Sequence, residues 1–294
     1  MAAATKISWT EKTWNPLAGC SVTSPGCKNC YAMRMAARLE NMRQQKYVGL
    51  TKPSNRGAVW TGEVRLDRKA LDQPLSWRTP TVAFVNSMSD LFHDNTRRAD
   101  IDDIMATICA TRQHTFQILT KRSERMRQYM SDPETRGRVT EAATRRGLPA
   151  PTTWPPENAW LGVSVEDGAP DRVARIDDLR ATPAAIRFIS FEPLIGRVGQ
   201  IDLTGIDWAI IGGESGVGAR PMELAWAIEL IDQARSQGTA IFFKQLGKIL
   251  AGTVGLRGKA EDPALWPEAV VAQLRGTLDL RGYPTQRQST AVAA

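Results

Sequence analysis

Three of the chain's four cysteines, Cys20, Cys27 and Cys30, fall within eleven positions in the run NPLAGCSVTSPGCKNCYAMRMAARL. Their spacing is C-x6-C-x2-C on a Gly- and Pro-containing loop, followed at once by an apolar pattern of helical period. Such a loop can fold three thiolates around one metal centre. A structural zinc takes four protein ligands, and the chain offers His93, His114 and Cys109 as the fourth. A four-iron cluster is instead held by three cysteines, with one iron left open to a substrate or cofactor. The spacing predicts metal binding and leaves the metal undecided. Cys109, in IMATICATRQ between apolar neighbours at helical spacing, reads as a buried core thiol.

The elements that must position this loop are legible as an alternation. Short apolar, β-rich runs recur at 81–88, 115–121, 159–165, 186–192, 207–213 and 240–245, and a first strand just before Cys20 brings the candidates to seven. Helical patterns lie between several of them, in CYAMRMAARLENMRQQ, RRADIDDIMATICATR, SERMRQYMSD, APDRVARIDDLRAT and PMELAWAIELIDQARSQG. Near-continuous apolar strands alternating with amphipathic helices predict an α/β fold, a parallel sheet covered by helices and curled into a partial or full (βα) barrel. In such folds the chemistry sits beyond the C-terminal ends of the strands. That rule selects Asn86, Ser87, Ser89 and Asp90, then Thr120 and Lys121, Ser164 and Glu166, Ser190 and Glu192, Gly212 to Glu214, and Lys244 and Gln245 as one polar ring.

Two stretches interrupt the alternation and read as irregular insertions: 46–80, with one hairpin, and 132–158, rich in Pro, Arg and Thr. The expected organisation is a single barrel domain over 1–284 with a disordered tail at 285–294. At 294 residues and 42% hydrophobic, the chain can bury a full core. No stretch approaches the roughly 20 uninterrupted apolar residues of a membrane helix, and the N-terminus lacks a signal-peptide pattern, so the expected location is the cytoplasm. Four unevenly placed cysteines do not make a disulfide framework. Charge is uneven: residues 1–150 carry 24 Lys and Arg against 14 Asp and Glu, and residues 151–294 carry 14 against 17, a split of +10 and −3. A basic half attracts polyanions.

The run NPLAGC…GCKNCYA resembles the cluster loop of radical S-adenosylmethionine (radical SAM) enzymes, in particular the branch around spore photoproduct lyase. VNSMSDLFHDNTRR resembles that branch's segment after the second strand, and FQILTKRSERM its segment after the third. The chain is also similar, over nearly its full length, to a phage-associated family with a three-cysteine motif and no assigned activity. The usual radical SAM spacing is C-x3-C-x2-C, and here the first gap is three residues longer. Loop-closure entropy grows by only about 0.6 kcal/mol per doubling of length, so the longer loop can still close on a cubane.

The resemblance implies that Cys20, Cys27 and Cys30 hold three irons of a [4Fe–4S] cluster while the fourth chelates the amino and carboxylate groups of S-adenosyl-L-methionine (SAM). Reductive cleavage of the S–C5′ bond then gives a 5′-deoxyadenosyl radical, fed by an electron donor protein. It further implies that Ser87, Ser89 and Asp90 hold the SAM ammonium group, that Ser164 and Glu166 meet the ribose hydroxyls, and that Tyr31 packs near the cluster or adenine. The substrate it suggests is a nucleic acid or nucleotide. The Gly-Gly-Glu run at 212–214 follows the sixth strand rather than the second, so the SAM-binding role of similar segments is not transferred to it. Arg34 and Arg38 share a helix face just past the cluster loop and form a compact basic pair. Two other readings stand beside this one: a non-catalytic, zinc- or cluster-stabilised nucleic-acid-binding protein, and a barrel enzyme of another class whose thiols are only structural.

Overall fold

A computed structural model describes residue 5 and residues 7–55, 57–274 and 280–284; the tail expected at 285–294 lies outside the described residues. Seven strands form one sheet: β1 (Lys12–Trp14), β2 (Val82–Val85), β3 (Thr115–Thr120), β4 (Ala159–Ser164), β5 (Ile186–Phe191), β6 (Trp208–Gly212) and β7 (Ala240–Gln245). They lie side by side in chain order and every pairing is parallel. The helices α1 (Tyr31–Asn41), α2 (Arg98–Ala110), α3 (Ser123–Ser131), α4 (Thr135–Arg145), α5 (Pro170–Ala181) and α6 (Leu224–Ser236) follow between them.

Period-2 alternation explains why both faces are buried. Phe116, Leu161, Ile189, Ile211 and Phe243 point to the helices and join the main core, while Phe84, Trp160, Phe188, Trp208 and Phe242 point the other way. This second set gathers on Trp9, whose ring lies 4.8 Å from Phe84 and 6.1 Å from Trp208, so side chains from β2 and β6 meet one residue. Only a curled sheet allows that. The first and last strands are not paired with each other, and β7 instead carries the segment around Arg281, through Phe243 N to Leu280 O and Gly282 N to Ile241 O. The barrel is therefore partial.

The insertions differ from one another. Within 46–80 a hairpin, Thr51–Ser54 with Gly57–Trp60, is present as expected. Its Trp60, with Tyr47 and Leu50, packs on Ala32, Met33 and Ala36 of α1, and Cys20 and Cys30 lean on this small core. The insertion thus buttresses the cysteine loop. The stretch 132–158, expected to be irregular, contains α4, which buries Val139, Ala142 and Ala143 at helical spacing. Small apolar residues among arginines make a thin stripe, and it sufficed once another surface was there to cover it. Among the described residues no helix is long and apolar enough to cross a membrane.

Candidate active site

The parallel-strand rule places a site at the C-terminal rim of the sheet, and a cavity of about 290 Å³ opens there. Its lining takes residues from six of the seven strand ends, among them Asn86, Ser87, Ser89 and Asp90 after β2, Thr120 and Lys121 at β3, Ser164, Ser190 and Glu192, Gly213 and Glu214, and Lys244 and Gln245. Cys20, Cys27, Cys30 and Tyr31 close the remaining side. Of the residues singled out for cofactor and metal binding, all but Glu166 face this one space.

After β1 the chain pairs Leu17–Ala18 with Arg65–Leu66, and Gly19 N donates to Met88 O, which seats Cys20 beside the end of β2. A single 3-10 turn, Pro25–Cys27, then leads to α1. Two carboxylates clamp this loop from distant strands. Glu166, fully buried, accepts from Ser24 Oγ at 2.5 Å, from Arg175 Nη1 at 3.1 Å and from Lys121 Nζ. It also fills the space a side chain at Gly26 would need, 2.5 Å from the position of a Cβ. Glu214 accepts from Asn29 Nδ2 at 2.9 Å and from Arg220, which in turn donates to Pro25 O. Both acids are held below the usual carboxylate range: burial pushes the other way, but Lys121, Ser24 and Arg175 outweigh it at Glu166, and Arg220 and Asn29 do so at Glu214.

The structure therefore gives Glu166 a different position from the expected one. It lies beneath the cysteine loop, engaged by three partners, and not on the cavity wall. Asp90 is likewise committed: Oδ1 accepts from Phe92 N and Thr120 Oγ1, and Oδ2 from Lys121 N and Arg122 Nη1, at 2.7–3.1 Å. Those four donors fill its lone-pair positions. Beside it, Asn86 Nδ2 and Ser89 Oγ are buried without a partner, while Ser87 Oγ bonds Asn15 Oδ1. Ser164 is buried at the end of β4, where its carbonyl accepts from Arg175. Tyr31 donates its hydroxyl to Ser87 O, tying the start of α1 to the end of β2. The sequence carries no signal for Arg122 and Asn29, whose partners lie far along the chain, nor for Arg175 and Arg220, whose nearby carboxylates Glu166 and Glu214 become clamps only once the cysteine loop is folded against them.

Burial pushes the Cys20 thiol up to about 12, with Asp90 adding to it. Burial also raises Cys30. Cys27 goes the other way, since Lys121 and the amides of Thr23 and Ser24 outweigh its burial, so it is the readiest to ionise. Among the described residues no three His, Cys, Asp or Glu side chains are grouped tightly enough to hold one metal ion. Thiols that each bind a different iron of a cubane need not meet at one point, as the ligands of a single zinc must. His93 stands nearest to supplying a fourth zinc ligand, yet its Nδ1 accepts from Asn95 N at 3.1 Å, which leaves Nε2 as the donor to Ser21 Oγ at 2.8 Å. Burial and then Arg122 hold the ring neutral, so neither nitrogen keeps a lone pair for a metal. His114 packs on Trp77 and bonds Pro74 O, and Cys109 joins the main core.

Among solved structures, the chain is similar at 12% identity to a double mutant of spore photoproduct lyase with bound AdoMet and dinucleoside spore photoproduct, with a TM-score of 0.42 over 71% of this chain and 58% of that one. It is similar at 12% identity and a TM-score of 0.39 to spore photoproduct lyase complexed with dinucleoside spore photoproduct, over 72% of this chain and 58% of that one. The chain thus spans a little under three-fifths of the length of these structures. No curated protein matches it. Residues 4–274 match the model of the family described as Protein of unknown function (DUF5131), and the chain belongs to that family.

Proposed function

We propose that the protein is an iron–sulfur enzyme of the radical SAM type. The observation that supports this reading best is that all three thiols of the C-x6-C-x2-C loop border one cavity at the C-terminal rim of a parallel partial barrel. Cys20, Cys27 and Cys30 would hold a [4Fe–4S] cluster, and the buried, unpartnered Asn86 Nδ2 and Ser89 Oγ would meet the polar groups of SAM beside it. Bound there, the cluster and SAM supply hydrogen-atom abstraction through a 5′-deoxyadenosyl radical. The chain's own residues have separate tasks. Asp90 fixes Thr120, Lys121 and Arg122; Glu166 and Glu214 fix the loop; Lys121 and Arg122 offset thiolate charge; Ser87, Ser164 and Tyr31 complete the wall.

The rival zinc reading requires a fourth protein ligand, and the tautomer of His93 speaks against it. Anaerobic reconstitution followed by SAM and dithionite tests the proposal: 5′-deoxyadenosine is expected. A protein that binds its full iron and SAM and yet yields none would defeat the enzymatic part of the reading.

A polyanionic substrate, a nucleic acid or nucleotide, is proposed to approach over α1, where Arg34 and Arg38 are exposed just past the loop. Neutralised phosphates release counterions, so log affinity is expected to fall linearly with log salt, by about 0.9 per contact on duplex DNA and about 0.7 on single strands. Arg34→Glu with Arg38→Glu should weaken binding and flatten that slope without bleaching the cluster. Fluorescence anisotropy at several salt concentrations reads both quantities, and a slope unchanged by the double variant removes α1 from the interface.

A further inference from the structure

The side of the cavity formed by β5 to β7 carries a second group of polar atoms that the cofactor reading leaves unused. Glu192 follows β5 directly, and its Oε2 takes a bond from Ser190 Oγ at 3.3 Å. Its Oε1 lies 3.1 Å from Lys244 Nζ, yet it is buried without a hydrogen bond. Gln245, 4% exposed, spends its Nε2 on Gly213 O at 2.8 Å, which orients the amide and leaves Oε1 buried and unpartnered. Gly212 brings the two side chains together. A Cβ on it would lie 2.6 Å from Glu192 Oε1 and 3.4 Å from Gln245 Cγ, so the bare glycine is the space in which they meet.

The result is two acceptor-bearing side chains lining one cavity and packed about Gly212, with the Lys244 ammonium ion-paired to Glu192 beside them. Buried acceptors left unsatisfied are unfavourable, and a ligand presenting N–H groups in matching positions relieves them. Trp9, Phe84 and Leu119 line the same cavity with flat apolar surface, which suits a planar ring. A guanidinium would meet the acceptors but offers nothing to Lys244 and is repelled by it. Among nucleobases, thymine and uracil flank one N–H with two acceptors, and adenine and cytosine set their amino group beside a ring-nitrogen acceptor. A 2-amino-4-oxopyrimidine edge alone among these presents an N–H and an NH2 side by side with a carbonyl next to them.

We propose that Glu192, Gln245 and Lys244 form a subsite for such an edge, that of a guanine base or a pterin. The inference rests on reading this cavity as the substrate site, but its test needs neither iron nor SAM. Calorimetry with the full chain, as isolated and with Cys27→Ser, would compare guanosine, neopterin, inosine, adenosine and thymidine. Guanosine or neopterin is expected to bind, and inosine, which lacks the 2-amino group, at least about tenfold more weakly. Stronger binding of guanosine than neopterin identifies the nucleobase, and the reverse order the pterin. Glu192→Gln and Gln245→Met should each erase the preference over inosine, whereas Gln245→Glu, which keeps an acceptor oxygen, should retain it; thermal melts confirm that each variant folds. Equal affinity for guanosine and inosine, indifference to Glu192→Gln, or no binding of either 2-amino ring overturns the proposal. Selective binding without 5′-deoxyadenosine formation would sink the enzymatic reading and leave this subsite standing, and the converse result would do the opposite.

Discussion

Replacing Cys20, Cys27 or Cys30 singly with alanine is expected to abolish iron binding and the broad visible absorption of the anaerobically reconstituted protein, and Cys109→Ala to leave both intact. Roughly four irons per chain are expected before substitution, held by three thiolates. The contrast follows from where the sulfurs lie. Three border the cavity at the mouth of the partial barrel, and the fourth is buried among the apolar side chains of α2. Far-UV circular dichroism separates loss of a ligand from loss of the fold: the three thiols sit on a loop braced by Glu166 and Glu214, so secondary structure should survive. Stoichiometric zinc with no iron in freshly isolated anaerobic protein would count heavily against the cluster.

Glu166→Leu is expected to lower stability by about 3–5 kcal/mol, because it leaves a buried cation without its partner. Arg175 is 6% exposed and would keep only the Ser164 carbonyl, while Ser24 and Lys121 would lose their shared acceptor. At about 2–4 °C per kcal/mol for chains of this order of size, the melting temperature should fall by roughly 6–20 °C. The pH dependence has a definite sign. The folded pKa of Glu166 is lowered, so its contribution is fully present above the unfolded value of about 4.3 and is lost as pH falls through the folded value. The gap between wild type and variant should therefore narrow in acid, below about pH 4. Melting curves from pH 7 to pH 3 check both expectations, and an unchanged melting temperature at pH 7 would remove Glu166 as the support of the loop.

Much of this architecture was legible along the chain. The six strands from β2 onward lie within their expected runs, trimmed by at most three residues at an end, since a strand buried on both faces must be apolar almost throughout, whereas the first strand, expected just before Cys20, ends at Trp14 and Leu17–Ala18 pairs outside the main sheet. The strand-end rule also found the cavity wall, because parallel strands all finish on one side, and reading where each run ends is a local operation. The helix α4 is hidden in the sequence: Arg136, Arg138 and Arg145 mask a stripe of only Val139, Ala142 and Ala143. Spacing also drew attention to the three cysteines, since ligands of one centre must be close and a short loop makes them so.

The roles of the polar residues were decided elsewhere. Their places after strands make Glu166 and Asp90 look like ligands in the sequence, and the folded chain engages both in ion pairs. No sequence pattern connects Asn29 with Glu214, 185 residues away, or Ser24 with Glu166. These contacts exist because the sheet curls, carrying the end of β6 back to the loop that follows β1. The same curvature leaves Glu192 and Gln245 facing each other across Gly212. Which elements form and which residues stand at their ends can be read along the chain, because those depend on local periodicity. Which carboxylate clamps, which one faces the cavity and which acceptor stays unpartnered depend on strand order and curvature, and only the tertiary structure decides them.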